Sequence, residues 1–95
     1  MIDYETRKQT YLNALLEYGE KAQLIVAIEE LSEAQKEICK YLRGKGNIDH
    51  LAEEVADAQI MLEQVTEIFR IPELVSTMMD RKIRRLDDRL RDGAK

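Results

Sequence analysis

Residues 20–70 decide the fold: they read EKAQLIVAIEELSEAQKEICKYLR, then GKGN, then IDHLAEEVADAQIMLEQVTEIFR. On both sides of the glycine loop, apolar residues recur every three or four positions, which is the period of an α-helix. In the first segment they are Leu24, Ile28, Leu31, Ile38 and Leu42, and in the second Leu51, Val55, Ala58, Leu62, Val65 and Phe69. Because the loop is short, we predict two antiparallel helices that pack through these two apolar stripes.

Two further helices flank this pair. Asp3 can cap a helix that runs to Tyr18, where Gly19 ends it, and Pro72 suits the first position of a helix that reaches about Arg91. The central pair is predicted at Glu20 to Arg43 and at Asn47 or Asp49 to Arg70. The sequence therefore predicts one all-α domain over residues 1–95, a four-helix bundle-like protomer. Since so short a chain buries a modest core, we expect association with further copies to complete it.

The composition excludes several functional classes. A net charge of −4 disfavours binding of a nucleic-acid polymer. No uncharged run approaches the ~20 residues of a membrane-spanning helix, and the charged N-terminus lacks the apolar core of a signal peptide. The single Cys39 fits a reducing compartment and is predicted to be a small buried residue. We therefore predict a cytoplasmic protein with no membrane partner.

Acidic residues gather on the two central helices at matched spacing. Glu30 and Glu33 are three apart on one helix, as are Glu54 and Asp57 on the other, so each pair shares a helix face. Apolar residues border both pairs, where unpaired charge is costly. If the helices pack antiparallel through their apolar stripes, the four carboxylates can converge. Hard oxygen ligands suit Mg²⁺, with Mn²⁺ as a substitute, whereas zinc favours His or Cys.

Other interpretations of these acids remain open. A highly charged chain can simply expose an acidic face to solvent, and that reading fits a non-enzymatic helical module for oligomerisation or regulation. Glu37 continues the line of Glu30 and Glu33 by one turn and is a weaker ligand candidate. Residues 80–92 carry six Lys or Arg residues, in contrast to the acidic central helices, so a site that handles cations and anions together is also suggested.

The ordered motifs resemble a known family. Glu29-Glu30-x-x-Glu33 followed by Glu54-x-x-Asp57 is similar to the EExxE…ExxD signature of the MazG-like all-α nucleotide pyrophosphohydrolases. That superfamily includes dimeric dUTPases, dCTP pyrophosphatases and phosphoribosyl-ATP pyrophosphohydrolase. Before the first motif, Tyr18-Gly19-Glu20-x-x-Gln23 resembles the family's lead-in, and residues 80–85 resemble its later Asn-x-Lys-x-x-Arg segment, with Asp80 in place of Asn.

The resemblance implies Mg²⁺-dependent hydrolysis of a (deoxy)nucleoside triphosphate to the monophosphate and pyrophosphate. It also implies that the four carboxylates hold the metal. Independently of the resemblance, the first and fourth helices carry more apolar surface than a two-helix core needs, which predicts a homodimer or homotetramer. Substrate contacts are expected from Gln23, Asp80, Lys82 and Arg85. In-line attack needs an oriented water and a base, for which Glu29 and Glu33 are the catalytic candidates; the residues do not choose between them.

Overall fold

The computed structural model describes residues 1–93, which form four helices and no strand: α1 (Tyr4–Tyr18), α2 (Glu20–Leu42), α3 (Ile48–Ile68) and α4 (Pro72–Arg91). The predicted all-α, four-helix bundle-like architecture is confirmed. Two helices end slightly earlier than predicted. α3 stops before Arg70 because that residue takes a φ of +55°, which an α-helix does not accommodate.

The helix starts follow from their capping residues. The Asp3 carboxylate accepts a hydrogen bond from the Thr6 backbone N–H at 2.8 Å, so α1 begins where predicted. Of the two candidates for α3, the cap is Asn47, whose side-chain oxygen accepts from the His50 N–H at 3.1 Å. Each cap satisfies one of the N–H groups that a helix start leaves without a partner.

The α2–α3 loop depends on its two glycines for different reasons. Gly44 has a φ of +76°, the left-handed region that glycine occupies without strain. Gly46 does not need a positive φ; instead, a Cβ at this position would lie 2.8 Å from the Cα of Tyr41. The chain therefore turns tightly against the end of α2, and α3 returns along it.

α2 and α3 pack against each other most extensively, and α1 contacts both. Tyr11 of α1 is buried, and its hydroxyl donates a short hydrogen bond to the Glu63 carboxylate on α3. Arg7 adds an ion pair to the same carboxylate at 3.1 Å. Burial, followed by the hydrogen bond and the charge of Glu63, raises the pKa of Tyr11 to about 12. This polar contact fixes α1 on the α2–α3 pair.

The prediction that both apolar stripes meet in the α2–α3 interface is wrong for α2. Four of its five stripe residues are exposed, with Ile28 66% exposed and Ile38 50% exposed, and only Leu24 is half-buried. The buried residues of α2 are instead Gln23, Ala27 and Glu37. Periodicity identified an apolar face correctly, but it does not say which surface covers that face.

On α3 the prediction is right in part. Ala58 is buried, but Val55 and Leu62 are exposed, and Met61, which was not in the stripe, is buried. The inner sides of α2 and α3 thus combine small and polar residues. Small side chains at an interface let two helix backbones approach closely, which brings the polar groups between them together.

α4 stands apart from the other helices. It packs against α3 alone, and every residue from 76 to 93 is exposed. The radius of gyration is accordingly 16.2 Å, against about 12 Å for a compact chain of this length. Cys39, predicted to be buried, is exposed. Among the described residues, no helix has the length and apolar character that crossing a membrane requires.

Candidate metal centre

Three of the four predicted metal ligands converge between α2 and α3. Glu30, Glu54 and Asp57 each present a carboxylate oxygen, and these oxygens all lie within 4.8 Å of one another. We call these three residues the carboxylate cluster. Glu54 and Asp57 reach it from successive turns of α3, and Glu30 reaches it from the middle of α2. Glu30 and Glu54 are partly buried, whereas Asp57 is exposed.

The orientation of Glu54 leaves one polar atom without a partner. Its Oε2 is buried and receives no hydrogen bond from any group of the described chain. Buried carboxylate oxygens in folded proteins nearly always accept a hydrogen bond or bind a cation, because their desolvation is otherwise uncompensated. A hard divalent cation between the three carboxylates would compensate it, so the donor set fits Mg²⁺ or Mn²⁺.

The electrostatics of the cluster favour protons or a cation. Burial raises the pKa of Glu30, and the negative charge of Asp57 is the next cause, followed by those of Glu33 and Glu29. Burial also raises the pKa of Glu54, with Asp57 again the second cause. Both carboxyl groups therefore resist ionisation in the folded chain. A bound cation would reverse that resistance, since it favours the ionised form.

The remaining acids of α2 lie around the cluster. Glu33, predicted as a fourth ligand, is exposed; its charge acts on both Glu30 and Glu54, but it does not belong to the set within 4.8 Å. Glu29 is also exposed and acts on Glu30 alone. Both catalytic candidates thus border the cluster.

Glu37 is the acid whose importance the sequence understated. It is only 7% exposed, its charge contributes to the raised pKa of Glu54, and it forms an ion pair with Lys40 at 3.1 Å. Its place in the line Glu30, Glu33, Glu37 was the signal available in the sequence. Glu37 therefore lies two turns from Glu30 with its own cationic partner, and its charge still acts on Glu54.

The expected substrate-binding residues do not gather in a single place. Gln23 is buried on the inner side of α2, two turns before Glu30. Asp80, Lys82 and Arg85 all lie on the exposed helix α4, which does not contact α2. Asp80 borders a shallow depression with Thr77, Arg81 and Arg84. Within one chain, the basic helix and the carboxylate cluster are therefore separate features.

Fold and site together define an all-α protein with a carboxylate cluster between two antiparallel helices. Such a cluster can bind a divalent cation, and through it the phosphate oxygens of a ligand. Comparison of the chain with protein-family models, with curated proteins and with solved structures finds no match.

Proposed function

We propose that this chain is a Mg²⁺-dependent nucleoside triphosphate pyrophosphohydrolase of the MazG-like type, which releases pyrophosphate and leaves the monophosphate. The buried Oε2 of Glu54, which has no partner in the described chain, is the observation that carries the proposal. It lies among carboxylates that repel one another, and a bound cation would relieve that repulsion and compensate the buried oxygen. The fold, the cluster and the EExxE…ExxD order support the same class.

In this proposal, the acidic residues of α2 and α3 have two separate roles, metal binding and proton transfer. Glu30, Glu54 and Asp57 hold the metal, and Glu33 is close enough for its charge to act on two of them. When bound, Mg²⁺ supplies neutralisation of phosphate charge and a more acidic water. Glu33 or Glu29, at the edge of the cluster, accepts the proton of the attacking water. Because these carboxylates lie on two packed helices, their positions are set before substrate binds.

Lys82 and Arg85 are proposed to contact the substrate phosphates, and Gln23 and Asp80 to contribute polar contacts. This part follows from the family resemblance. It is tested separately, because α4 packs only against α3. Replacing Arg85 by Ala should lower kcat/KM at least tenfold, on the order of 1.4 kcal/mol. Arg91→Ala is the matched control, since Arg91 forms an ion pair with Asp87 of its own helix at 3.0 Å.

We also propose a homodimer or homotetramer in the cytoplasm. Large apolar side chains remain exposed on the outer side of α2 and along α4, among them Ile28, Leu42, Ile83 and Leu90. Many exposed large apolar side chains along a helix face are typical of a surface that another protein covers. The exposed thiol of Cys39 is compatible with a reducing compartment.

The decisive experiment measures pyrophosphate release from a panel of standard and damaged (deoxy)nucleoside triphosphates, with and without Mg²⁺. The parent protein should hydrolyse at least one of them only when Mg²⁺ is present. Glu54→Gln should lower the rate by at least a hundredfold, whereas Glu53→Gln, an exposed neighbour on the same helix, should retain it. A parent protein that is inactive on the whole panel, with no Mg²⁺ response, would favour the non-enzymatic helical module.

A further inference from the structure

The exposed helix α4 carries a second pattern that the proposed activity does not explain. Met79, Ile83, Leu86 and Leu90 follow one another at intervals of four, three and four residues, and each is between 54% and 71% exposed. This is the spacing of the d and a positions of a coiled coil, with Ile83 and Leu90 at a and Met79 and Leu86 at d. No other helix of the described chain covers this face, because α4 packs only against α3 near its start.

The charged residues beside this stripe are ordered by sign. In the same register, Asp80 and Asp87 occupy the e positions, and Lys82 and Arg89 occupy the g positions. Charges at e and g lie next to the partner helix, where they select its identity and direction. Within residues 1–93, Lys82 forms no ion pair, and Asp87 forms one with Arg91 of its own helix, through Oδ2 at 3.0 Å.

This order of charges distinguishes between two directions of pairing with an identical helix. In a parallel pair, each g residue lies against the e residue five positions later in the partner, so Lys82 meets Asp87 of the second copy, twice by symmetry. In an antiparallel pair, g meets g and e meets e. Lys82 would then approach Arg89, and Asp80 would approach Asp87. The charges therefore favour the parallel pair and oppose the antiparallel one.

We propose that α4 pairs in parallel with α4 of a second copy of this chain, in a short two-stranded coiled coil. The central pair of the stripe, Ile83 at a and Leu86 at d, is the combination that favours two parallel strands, and Met79 and Leu90 extend the apolar seam on either side. The pairing covers the apolar stripe and gives Lys82 a carboxylate partner. Arg85, at position c, stays on the outer surface of the pair. Of the two proposed phosphate contacts, Arg85 is therefore accessible to a ligand, whereas Lys82 is engaged with the carboxylate of the second copy. The inference does not depend on the hydrolase activity.

Cysteine cross-linking tests the direction of pairing. Met79→Cys and Leu90→Cys are each introduced singly into full-length chain that carries Cys39→Ser, and oxidised glutathione is added. In a parallel pair, each position faces itself, so both variants should form disulfide dimers at least tenfold faster than Asp88→Cys, which lies on the outer face of α4. A disulfide formed only in a mixture of the two variants would establish antiparallel pairing. Rates equal to that of Asp88→Cys would mean that α4 does not pair.

Charge reversal tests the ion pair with the same readout. In the Leu90→Cys protein, Lys82→Asp alone and Asp87→Lys alone each place like charges together, and each should slow cross-linking severalfold. The two changes together exchange the signs and should restore the original rate. Arg84→Asp with Asp88→Lys, the matched changes on the outer face, should leave the rate unaltered. If the double reversal is as slow as the single ones, the proposed register is wrong. Because no nucleotide is present, failure here leaves the proposed hydrolase activity untouched.

Discussion

Replacing Glu30 by Gln should stabilise the metal-free protein although it neutralises a proposed metal ligand. The change keeps the shape of the side chain and removes one negative charge from the carboxylate cluster. The oxygens lie within 4.8 Å of one another, so two unit charges repel by about 3.5 kcal/mol at an effective dielectric near 20, and by about 0.9 kcal/mol at that of water. Glu30 is partly buried and therefore lies between these limits.

The raised pKa of Glu30 reflects its burial first and then this repulsion from neighbouring carboxylates. We therefore expect the free energy of unfolding to increase by roughly 0.5–2 kcal/mol. For a chain of this size, each 1 kcal/mol corresponds to about 4–8 °C in Tm. The assay is a thermal melt in the presence of a chelator, at fixed protein concentration, because association also affects Tm.

Addition of Mg²⁺ should reverse the order of the two Tm values, so that the parent protein melts at a higher temperature than Glu30→Gln. A ligand at about a hundred times its Kd stabilises the folded state by about 2.7 kcal/mol, so the parent should gain on the order of 10–20 °C. Glu30→Gln should gain much less, because one of three ligands no longer carries charge. Glu53→Gln is the control and should match the parent with and without Mg²⁺. If Glu30→Gln and Glu53→Gln behave alike in both conditions, the carboxylates form a solvated face and not a metal site.

Three further predictions concern pH, the α1 contact and the loop. Because the folded-state pKa values of Glu30 and Glu54 are raised, these two carboxyl groups bind protons more tightly in the folded protein than in the unfolded chain. The Tm of the metal-free protein should therefore rise as pH falls from 7 towards about 4.5. A Tm that is flat or falls over this range would contradict the assignment. Tyr11→Phe removes the hydrogen bond to the Glu63 carboxylate and should lower the free energy of unfolding, measured by urea titration, by about 1–2 kcal/mol. The rise of Tm with Mg²⁺ should stay the same. An altered Mg²⁺ response would mean that α1 influences the carboxylate cluster. Gly46→Ala should lower the free energy of unfolding by about 1–3 kcal/mol, because its Cβ would lie 2.8 Å from the Cα of Tyr41. Unaltered stability in the same urea titration would show that the loop shifts freely.

The helices could be predicted from the sequence because their boundaries are encoded locally. Capping by Asp3 and Asn47, the glycine after Tyr18 and the proline at the start of α4 act through neighbouring backbone groups. The carboxylate cluster could be predicted for a related reason. Spacing of three residues fixes a common helix face, and a short loop fixes the antiparallel direction, so Glu30 could be expected to meet Glu54 and Asp57.

What could not be predicted depends on which surfaces meet. The inner face of α2 is marked by Gln23 and Ala27, whereas Ile28 and Ile38 point outward. A hydrophobic pattern favours burial of the larger apolar residues, but it contains no information on whether another helix of the same chain or a second chain covers them. The same limit applies to α4: its basic character was evident, but its separation from the carboxylate cluster is a property of the tertiary structure.

The tight turn between α2 and α3 also has a consequence for how the chain folds. Most of the packing joins two helices separated by the short segment 43–47, so few residues of loop must be closed to form it. Proteins dominated by such local pairing fold quickly, and the α2–α3 hairpin is the natural nucleus. Closing that hairpin also brings the carboxylate cluster together, so charge repulsion opposes its formation. A divalent cation or mild acid should therefore accelerate refolding as well as stabilise the product, so the occupancy of the cluster would set how fast the newly made chain reaches its native structure.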